Sequence, residues 1–117
     1  GHVLSGHIID TATVADIEFT ENNCRMSFKA GAAWLKYVFD KGYLAINGAS
    51  LTVAAVDRNA GTFAINLIPE TLKRTNFSTL QVGDAVNIEV ESQSQVIVDT
   101  VERIMAERYA AETTAQS

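Results

Sequence analysis

The sequence predicts an all-β fold: a six-stranded antiparallel β-barrel with a short internal helix and a C-terminal α-helix. Segments of alternating apolar and polar residues recur along the chain, and turn-forming Asn, Asp and Gly residues separate them. The spacing of apolar residues becomes helical only near the middle and after Gln95. About six antiparallel strands have two edges to protect, and closing the sheet into a barrel is the usual solution.

The first third of the chain predicts two or three strands and the short helix. β-branched residues between His2 and Phe19 predict one or two strands, and a return strand over 25–29 follows the turn at 21–23. Four apolar residues then fall at helical spacing and predict a helix of about two turns over 32–40, ended by Gly42. These residues are Trp34, Leu35, Val38 and Phe39.

The middle of the chain contains a β-hairpin. Asn47-Gly48 separates two strand patterns, and both residues tolerate the positive φ of a type I′ turn. After a second turn at 57–61, residues 62–67 alternate cleanly, and Pro69 ends that strand because proline cannot donate to a β-ladder. We expect residues 70–76 to be irregular or a helical turn.

The last third predicts one strand and the longer helix. Residues 85–91 alternate strictly, and a helical pattern covers 95–111, followed by a polar tail at 112–117. We therefore divide the chain into a barrel (1–92), a helix and a tail. The apolar stripe of the helix packs either on its own barrel or on another subunit, and consists of Ile97, Val101, Ile104 and Met105.

Composition limits the possible functions. The chain has 117 residues, of which 47% are hydrophobic, and this is enough for one domain with a real core. Its net charge is −5 with scattered basic residues, which argues against a nucleic-acid partner. No apolar run approaches the ~20 residues that span a bilayer, so we expect no membrane association and a cytoplasmic location. Because the chain begins with Gly1, we expect it to lack an N-terminal segment.

Four polar segments lie beside turns or strand ends, but each has an ordinary explanation when taken alone. Ser50 and Thr52 share one strand face and would face solvent if Leu51 and Val53 are core residues. Lys41 would stabilise the C-terminal end of a helix. The other two segments are Gly6-His7 and Ile68-Pro69-Glu70-Thr71. Cys24 is the single cysteine, and the histidines lack the neighbours that a metal site requires, so we predict no metal.

Taken together and in order, these segments resemble the second barrel of riboflavin synthases. The motifs that carry the resemblance are Ser5-Gly6-His7, Lys41-Gly42 with Asn47-Gly48-Ala49-Ser50-Leu51-Thr52, Leu67-Ile68-Pro69-Glu70-Thr71-Leu72, Gly83-Asp84 with Val86-Asn87-Ile88-Glu89, and Val101-Glu102-Arg103. The resemblance runs from the first residue to about Tyr109. It implies a Greek-key barrel that forms the C-terminal half of a two-barrel enzyme.

The resemblance also implies a reaction. Two molecules of 6,7-dimethyl-8-ribityllumazine dismutate: a four-carbon unit passes from one to the other, and riboflavin and a pyrimidine by-product leave. No metal or redox cofactor is implied. The resemblance makes Ser50 the catalytic hydroxyl, His7 its polar neighbour and Glu91 the base or orienting group. The family usually carries Asp where this chain has Glu91, so the side chain is one methylene longer.

The implied substrate-binding residues are Gly6, His7, Ile8, Lys41, Ser50, Leu51, Thr52, Leu67, Ile68, Pro69, Glu70, Thr71 and Leu72. The implied partners are an N-terminal barrel from another subunit, which completes the active site, and two further copies in a homotrimer of the full-length protein. The chain alone should therefore turn over poorly. A non-catalytic lumazine- or flavin-binding module and a purely oligomerising unit are the alternatives.

Overall fold

A computed structural model of the chain describes residues 7–115. Gly6, one of the predicted binding residues, lies outside the described residues. The six strands are β1 (His7–Thr20), β2 (Asn23–Lys29), β3 (Tyr43–Ile46), β4 (Ala49–Asp57), β5 (Thr62–Leu67) and β6 (Ala85–Val90). The helices are α1 (Ala32–Leu35), α2 (Pro69–Arg74) and α3 (Ser92–Ala115), with a single 3₁₀ segment at Asn76–Thr79.

The strands form one closed barrel in the order β1-β2-β5-β4-β3-β6, and every pairing is antiparallel. The predicted six-stranded barrel is therefore confirmed. The barrel closes because the long strand β1 pairs with β6 through its first half and with β2 through its second half. The register shifts between Ile8 and Asp10 and again between Val14 and Asp16. Such bulges bend a strand and let one strand serve both neighbours.

The interior of the barrel is filled by the apolar residues that alternate along each strand. The rings of Phe28 and Phe63 stack with centroids 5.2 Å apart. Trp34 of α1 meets Phe63 edge-on at 6.0 Å, which joins the helix to the barrel core. The alternation that predicts the strands therefore also predicts which side chains are buried.

The helix α1 is shorter than the predicted segment 32–40. After Leu35 the backbone continues in tighter turns, with Tyr37 N donating to Trp34 O at 3.0 Å and Val38 N to Leu35 O at 3.0 Å. The Arg58 guanidinium donates to the carbonyls of Leu35 and Val38 at 2.9 and 2.7 Å. Arg58 thus supplies hydrogen-bond donors that a further helical turn would otherwise supply to these carbonyls. Three of the four spaced apolar residues, Trp34, Leu35 and Val38, are buried, but Phe39 is 43% exposed and the helix is shorter than predicted.

The helix α3 is longer than predicted at both ends. It begins at Ser92 and includes residues 112–115, which the sequence pattern assigned to a polar tail. No Gly or Pro interrupts the segment, so nothing in it stops a helix. Among the helices of residues 7–115, none is both long enough and apolar enough to cross a membrane.

The helix α3 meets the barrel through polar contacts. Tyr37 Oη donates to Asp99 Oδ1 at 2.6 Å, and Lys36 Nζ pairs with Glu102 Oε1 at 2.8 Å. The hydrogen bond to Asp99 raises the pKa of the Tyr37 phenol because it stabilises the protonated, donating form. The apolar stripe of α3 is largely uncovered in the structure: its four side chains are between 48% and 62% exposed, although Ile97 and Val101 border a groove with Phe39.

Candidate functional site

A surface cleft of about 360 Å³ lies where the chain between α1 and β3 meets the outer face of β4. It is lined by Asp40, Lys41, Thr52, Val53, Ala54 and Asn66. The structure therefore brings together two of the predicted binding residues, Lys41 and Thr52. Two backbone hydrogen bonds hold this arrangement: Lys41 N donates to Val53 O at 2.8 Å, and Val53 N donates to Gly42 O at 2.8 Å.

Lys41 has an unusual backbone conformation. Its φ is +65°, in the left-handed region that favours glycine. Such a residue costs roughly 1–3 kcal/mol, and residues of this kind cluster at active sites and ligand-binding sites, where surrounding contacts hold them. The helix α1 ends at Leu35, so Lys41 does not lie in its last turn and the explanation by the helix dipole is wrong.

Ser50 is the predicted residue with the most distinctive surroundings. It lies on β4 opposite Ala45 of β3, and its Oγ is buried with no hydrogen-bond partner among the described residues. A buried hydroxyl without a partner costs about 1–3 kcal/mol. The expectation that Ser50 faces solvent is therefore wrong, whereas its neighbour Thr52 is exposed. An unpartnered buried hydroxyl is suited to a ligand that accepts or donates a hydrogen bond.

His7 and Glu91 lie together on another part of the barrel. His7 pairs with Val90 in the β1–β6 ladder, which places its backbone beside Glu91, and Ile8 pairs with Glu89. The side chains of His7 and Ile8 lie outside the described residues. The Glu91 carboxylate is half-buried, and its Oε2 accepts a hydrogen bond from Ser94 Oγ at 3.2 Å.

The structure does not bring Ser50 and Glu91 into contact. Ser50 shares a cross-strand row with Ala45 and Glu89, and Glu91 is the next outward-facing position beyond that row. Neighbouring strands lie about 4.8 Å apart and each residue rises about 3.4 Å, so the two Cα atoms are on the order of 12 Å apart. A direct hydrogen bond does not reach across this distance. The two groups can act together only through a ligand that lies between them, and their catalytic roles stay predictions.

The predicted binding segment 67–72 is divided between core and surface. Leu67 is buried opposite Cys24, and Leu72 packs against the core, so these side chains support the barrel. Ile68 is 55% exposed and precedes α2, which begins with Pro69. Glu70 pairs with Arg74 at 2.6 Å, and Thr71 O accepts hydrogen bonds from Thr75. Leu67 can therefore serve a ligand only through its main chain. Leu51 is half-buried and also packs against the core.

Two residues in the cleft were missed by the sequence reasoning. Asn66 lies between the buried residues Ile65 and Leu67 on β5, so its side chain faces outward. Its exposure was therefore predictable from the strand pattern. Its position beside Thr52 was not, because it depends on the pairing of β4 with β5. Asp40 precedes Lys41 in the turn, and no motif indicates it. Both add polar groups to the cleft, one amide and one carboxylate.

The hairpin tip has the predicted turn geometry. Asn47 and Gly48 have φ values of +48° and +83°, as a type I′ turn requires. Asn47 N donates to Asn87 O at 2.9 Å, and Asn47 Oδ1 accepts from Asn87 N at 2.8 Å. The tip is thus attached to β6, which fixes the start of β4 and hence the position of Ser50.

Comparisons with known proteins agree with this geometry. The sequence profile of the lumazine binding domain family matches residues 5–91. Riboflavin synthase from Escherichia coli is 48% identical over 109 residues, covering 92% of this chain and 50% of that protein. Riboflavin synthase from Chlamydia pneumoniae is 44% identical over 106 residues, covering 91% and 50%. The chain thus spans about half the length of the curated relatives it matches.

Solved structures show the same architecture. The crystal structure of LumP complexed with flavin mononucleotide matches with a TM-score of 0.69 and 26% identity, covering 75% of this chain and 49% of that one. LumP complexed with riboflavin matches with a TM-score of 0.68 and 26% identity, covering 75% and 47%. The resemblance that the motifs indicated is confirmed: the chain belongs to the lumazine binding domain family, and it is a barrel of the riboflavin synthase type.

Proposed function

We propose that the chain acts as the C-terminal half of a riboflavin synthase, a cytoplasmic transferase. It binds one 6,7-dimethyl-8-ribityllumazine for the dismutation of two such molecules to riboflavin and a pyrimidine by-product. The observation that carries this proposal is the buried Oγ of Ser50, which has no hydrogen-bond partner within residues 7–115 and lies on the strand that also contributes Thr52 to the cleft with Lys41. Membership of the lumazine binding domain family supports the choice of ligand.

The residues present suit the chemistry of a lumazine. The 7-methyl group is acidic because its carbanion is delocalised into the ring, so donors aimed at ring heteroatoms stabilise the anion. The Lys41 ammonium and the Thr52 hydroxyl are two such donors in the cleft, and the Ser50 hydroxyl lies two residues before Thr52 on β4. The Ser50 hydroxyl is already desolvated, so a ring acceptor gains its hydrogen bond without a further desolvation penalty. The amide of Asn66 and the carboxylate of Asp40 remain for the ribityl hydroxyls.

The proposed site is a half-site. The cleft is shallow and open, whereas the reaction needs two stacked lumazines sheltered from water. In the proposal, an N-terminal barrel of another subunit covers the cleft and carries the second substrate. Fixing two reactants in this way can supply about 7–11 kcal/mol in favourable cases. This accounts for the expectation that the chain alone turns over poorly.

The exposed stripe on α3 supports a homotrimer as the assembly. Its residues recur at helical spacing, and the two nearest the start of α3, Ile97 and Val101, border an apolar groove of about 470 Å³. Phe39, Ile97, Val98 and Val101 provide the apolar part of its lining. A helix with an uncovered apolar face of this kind is typical of an intersubunit contact. The proposed partner surface is the same helix of neighbouring subunits.

Titration with 6,7-dimethyl-8-ribityllumazine, followed by its fluorescence, tests the binding half of the proposal. We expect saturable binding by the folded chain. Ser50→Ala should weaken it by about tenfold, in keeping with the loss of one hydrogen bond to a desolvated group. The matched control is Ser78→Ala, an exposed serine in the 3₁₀ segment away from the cleft. Absence of saturable binding in a demonstrably folded sample would refute the proposed site.

A non-catalytic lumazine- or flavin-binding module is the second candidate, favoured by the structural match to LumP and by the separation of Ser50 from Glu91. A chimera separates the two candidates. The N-terminal half of the Escherichia coli riboflavin synthase joined to this chain should form riboflavin from the lumazine if the chain is catalytic. A chimera that binds the lumazine but forms no riboflavin would favour the binding module.

A further inference from the structure

Glu91 lies at the junction between the barrel and the C-terminal helix. The strand β6 ends at Val90, and α3 begins at Ser92. The Glu91 carbonyl accepts the hydrogen bond of Gln95 N at 3.1 Å, the first helical hydrogen bond of α3. Glu91 is therefore the N-cap residue of this helix. One residue thus carries the predicted carboxylate of the site and also starts the helix.

Glu91 is not a usual N-cap residue. Ser, Thr, Asp and Asn are preferred there because their short side chains reach a backbone N–H of the first turn, and glutamate is longer by one methylene than aspartate. The carboxylate of Glu91 accepts instead from the side-chain hydroxyl of Ser94, the third residue of the helix, at 3.2 Å. Both residues are half-buried at this junction.

This hydrogen bond restricts a flexible side chain. It engages Oε2, while Oε1 has no hydrogen bond among the described residues. A glutamate at a strand end has three side-chain torsions, and a hydrogen bond to one oxygen limits their freedom while leaving the other oxygen for a ligand. Because Ser94 is part of α3, the orientation of the carboxylate depends on the first turn of that helix.

We propose that Ser94 is a positioning residue of the riboflavin synthase site, holding the Glu91 carboxylate in the orientation that the reaction needs. This inference rests on the proposed function. It also explains how a glutamate can serve at this position: the hydroxyl of Ser94 fixes the end of the longer side chain. Ser94 itself does not contact the substrate.

The test uses the two-barrel chimera with the lumazine as substrate. Ser94→Ala should lower kcat by about tenfold with KM nearly unchanged, because the carboxylate is still present but less well oriented. Ser94→Thr keeps the hydroxyl and should retain most of the activity. The matched control is Gln93→Ala, an exposed residue of the same helical turn, which should leave kcat unchanged. Helix content by circular dichroism and the melting temperature show whether the variants fold.

A double-mutant cycle makes the inference more specific. Aspartate at position 91 can cap the helix through its own side chain, so it should not depend on Ser94. Ser94→Ala should therefore lower kcat much less in Glu91→Asp than in the parent chimera. If Ser94→Ala and Gln93→Ala have equal kcat values in an active chimera, the inference is overturned and the proposed function stands. Equal losses in Ser94→Ala and Ser94→Thr overturn it too. A folded parent chimera without activity overturns both.

Discussion

The left-handed backbone of Lys41 allows stability and ligand binding to be separated with two substitutions. Lys41→Ala removes the ammonium but keeps a Cβ at φ +65°, whereas Lys41→Gly removes both the ammonium and the steric conflict. If the ammonium of Lys41 binds the ligand, the function requires a lysine at a position where its positive φ lowers the stability of the fold. Both variants then lose binding, but they differ in stability.

The magnitudes follow from the geometry. A Cβ in the left-handed region costs roughly 1–2 kcal/mol, and glycine loses about 0.5–1 kcal/mol more backbone entropy on folding. Lys41→Gly should therefore be more stable than Lys41→Ala by about 1 kcal/mol, or about 4 °C in melting temperature for a domain of this size. A hydrogen bond from an ammonium to a ligand contributes about 1.5–3 kcal/mol, so both variants should bind the lumazine about ten- to hundredfold more weakly.

Urea denaturation measures the folding stability of each variant, and fluorescence titration of the same samples measures its affinity for the lumazine. Two backbone hydrogen bonds hold this segment, from Lys41 N to Val53 O and from Val53 N to Gly42 O, and neither variant removes them, so the fold around the cleft should persist. Lys41→Gly with lower stability than Lys41→Ala would refute the argument from strain. Wild-type affinity in both variants would show that the ammonium does not contact the ligand.

The hairpin tip and the helix α3 give two further predictions. Asn47→Ala should destabilise the chain by about 2 kcal/mol because it loses the hydrogen bond to Asn87 and because alanine tolerates positive φ less well than asparagine, whereas Asn47→Gly should cost only about half as much. Equal losses on urea denaturation would contradict the role of the turn. Ile104→Glu places a charge within the exposed stripe of α3 and should convert a trimer of the two-barrel chimera to monomers in light scattering, while Arg103→Glu on the neighbouring position should not. An unchanged trimer mass in Ile104→Glu would refute the proposed contact.

The secondary structure was largely predictable because it depends on short-range patterns. The alternation of apolar and polar residues located the strands. Asn47-Gly48 located the hairpin, because a type I′ turn needs a positive φ at both central residues and few residue types tolerate one. The bounds of the helices were less predictable. Three of the four apolar residues spaced near Trp34 are buried and Phe39 is exposed. The helix α1 ends early, where Arg58, which is distant in sequence, donates hydrogen bonds to the carbonyls of Leu35 and Val38.

The site was predictable only as a set of segments. The motifs identified Lys41 and Thr52, and the structure places both in one cleft. The distance between Ser50 and Glu91 could not be read from the sequence, because it depends on β3 lying between β4 and β6. For the same reason, Asn66 was recognised as a cleft residue only from the pairing of β5 with β4.

The sequence by itself determined the fold class, the hairpin and the family of this protein, because each depends on local order along the chain. The tertiary structure decided which polar groups meet, which face of α3 is left uncovered, and that the Ser50 hydroxyl is buried with no partner in the described part of the chain. These properties arise from strand order and register in a closed barrel. Barrel closure brings residues 40 and 66 to one cleft, although they are distant in sequence, and strand order separates residues 50 and 91.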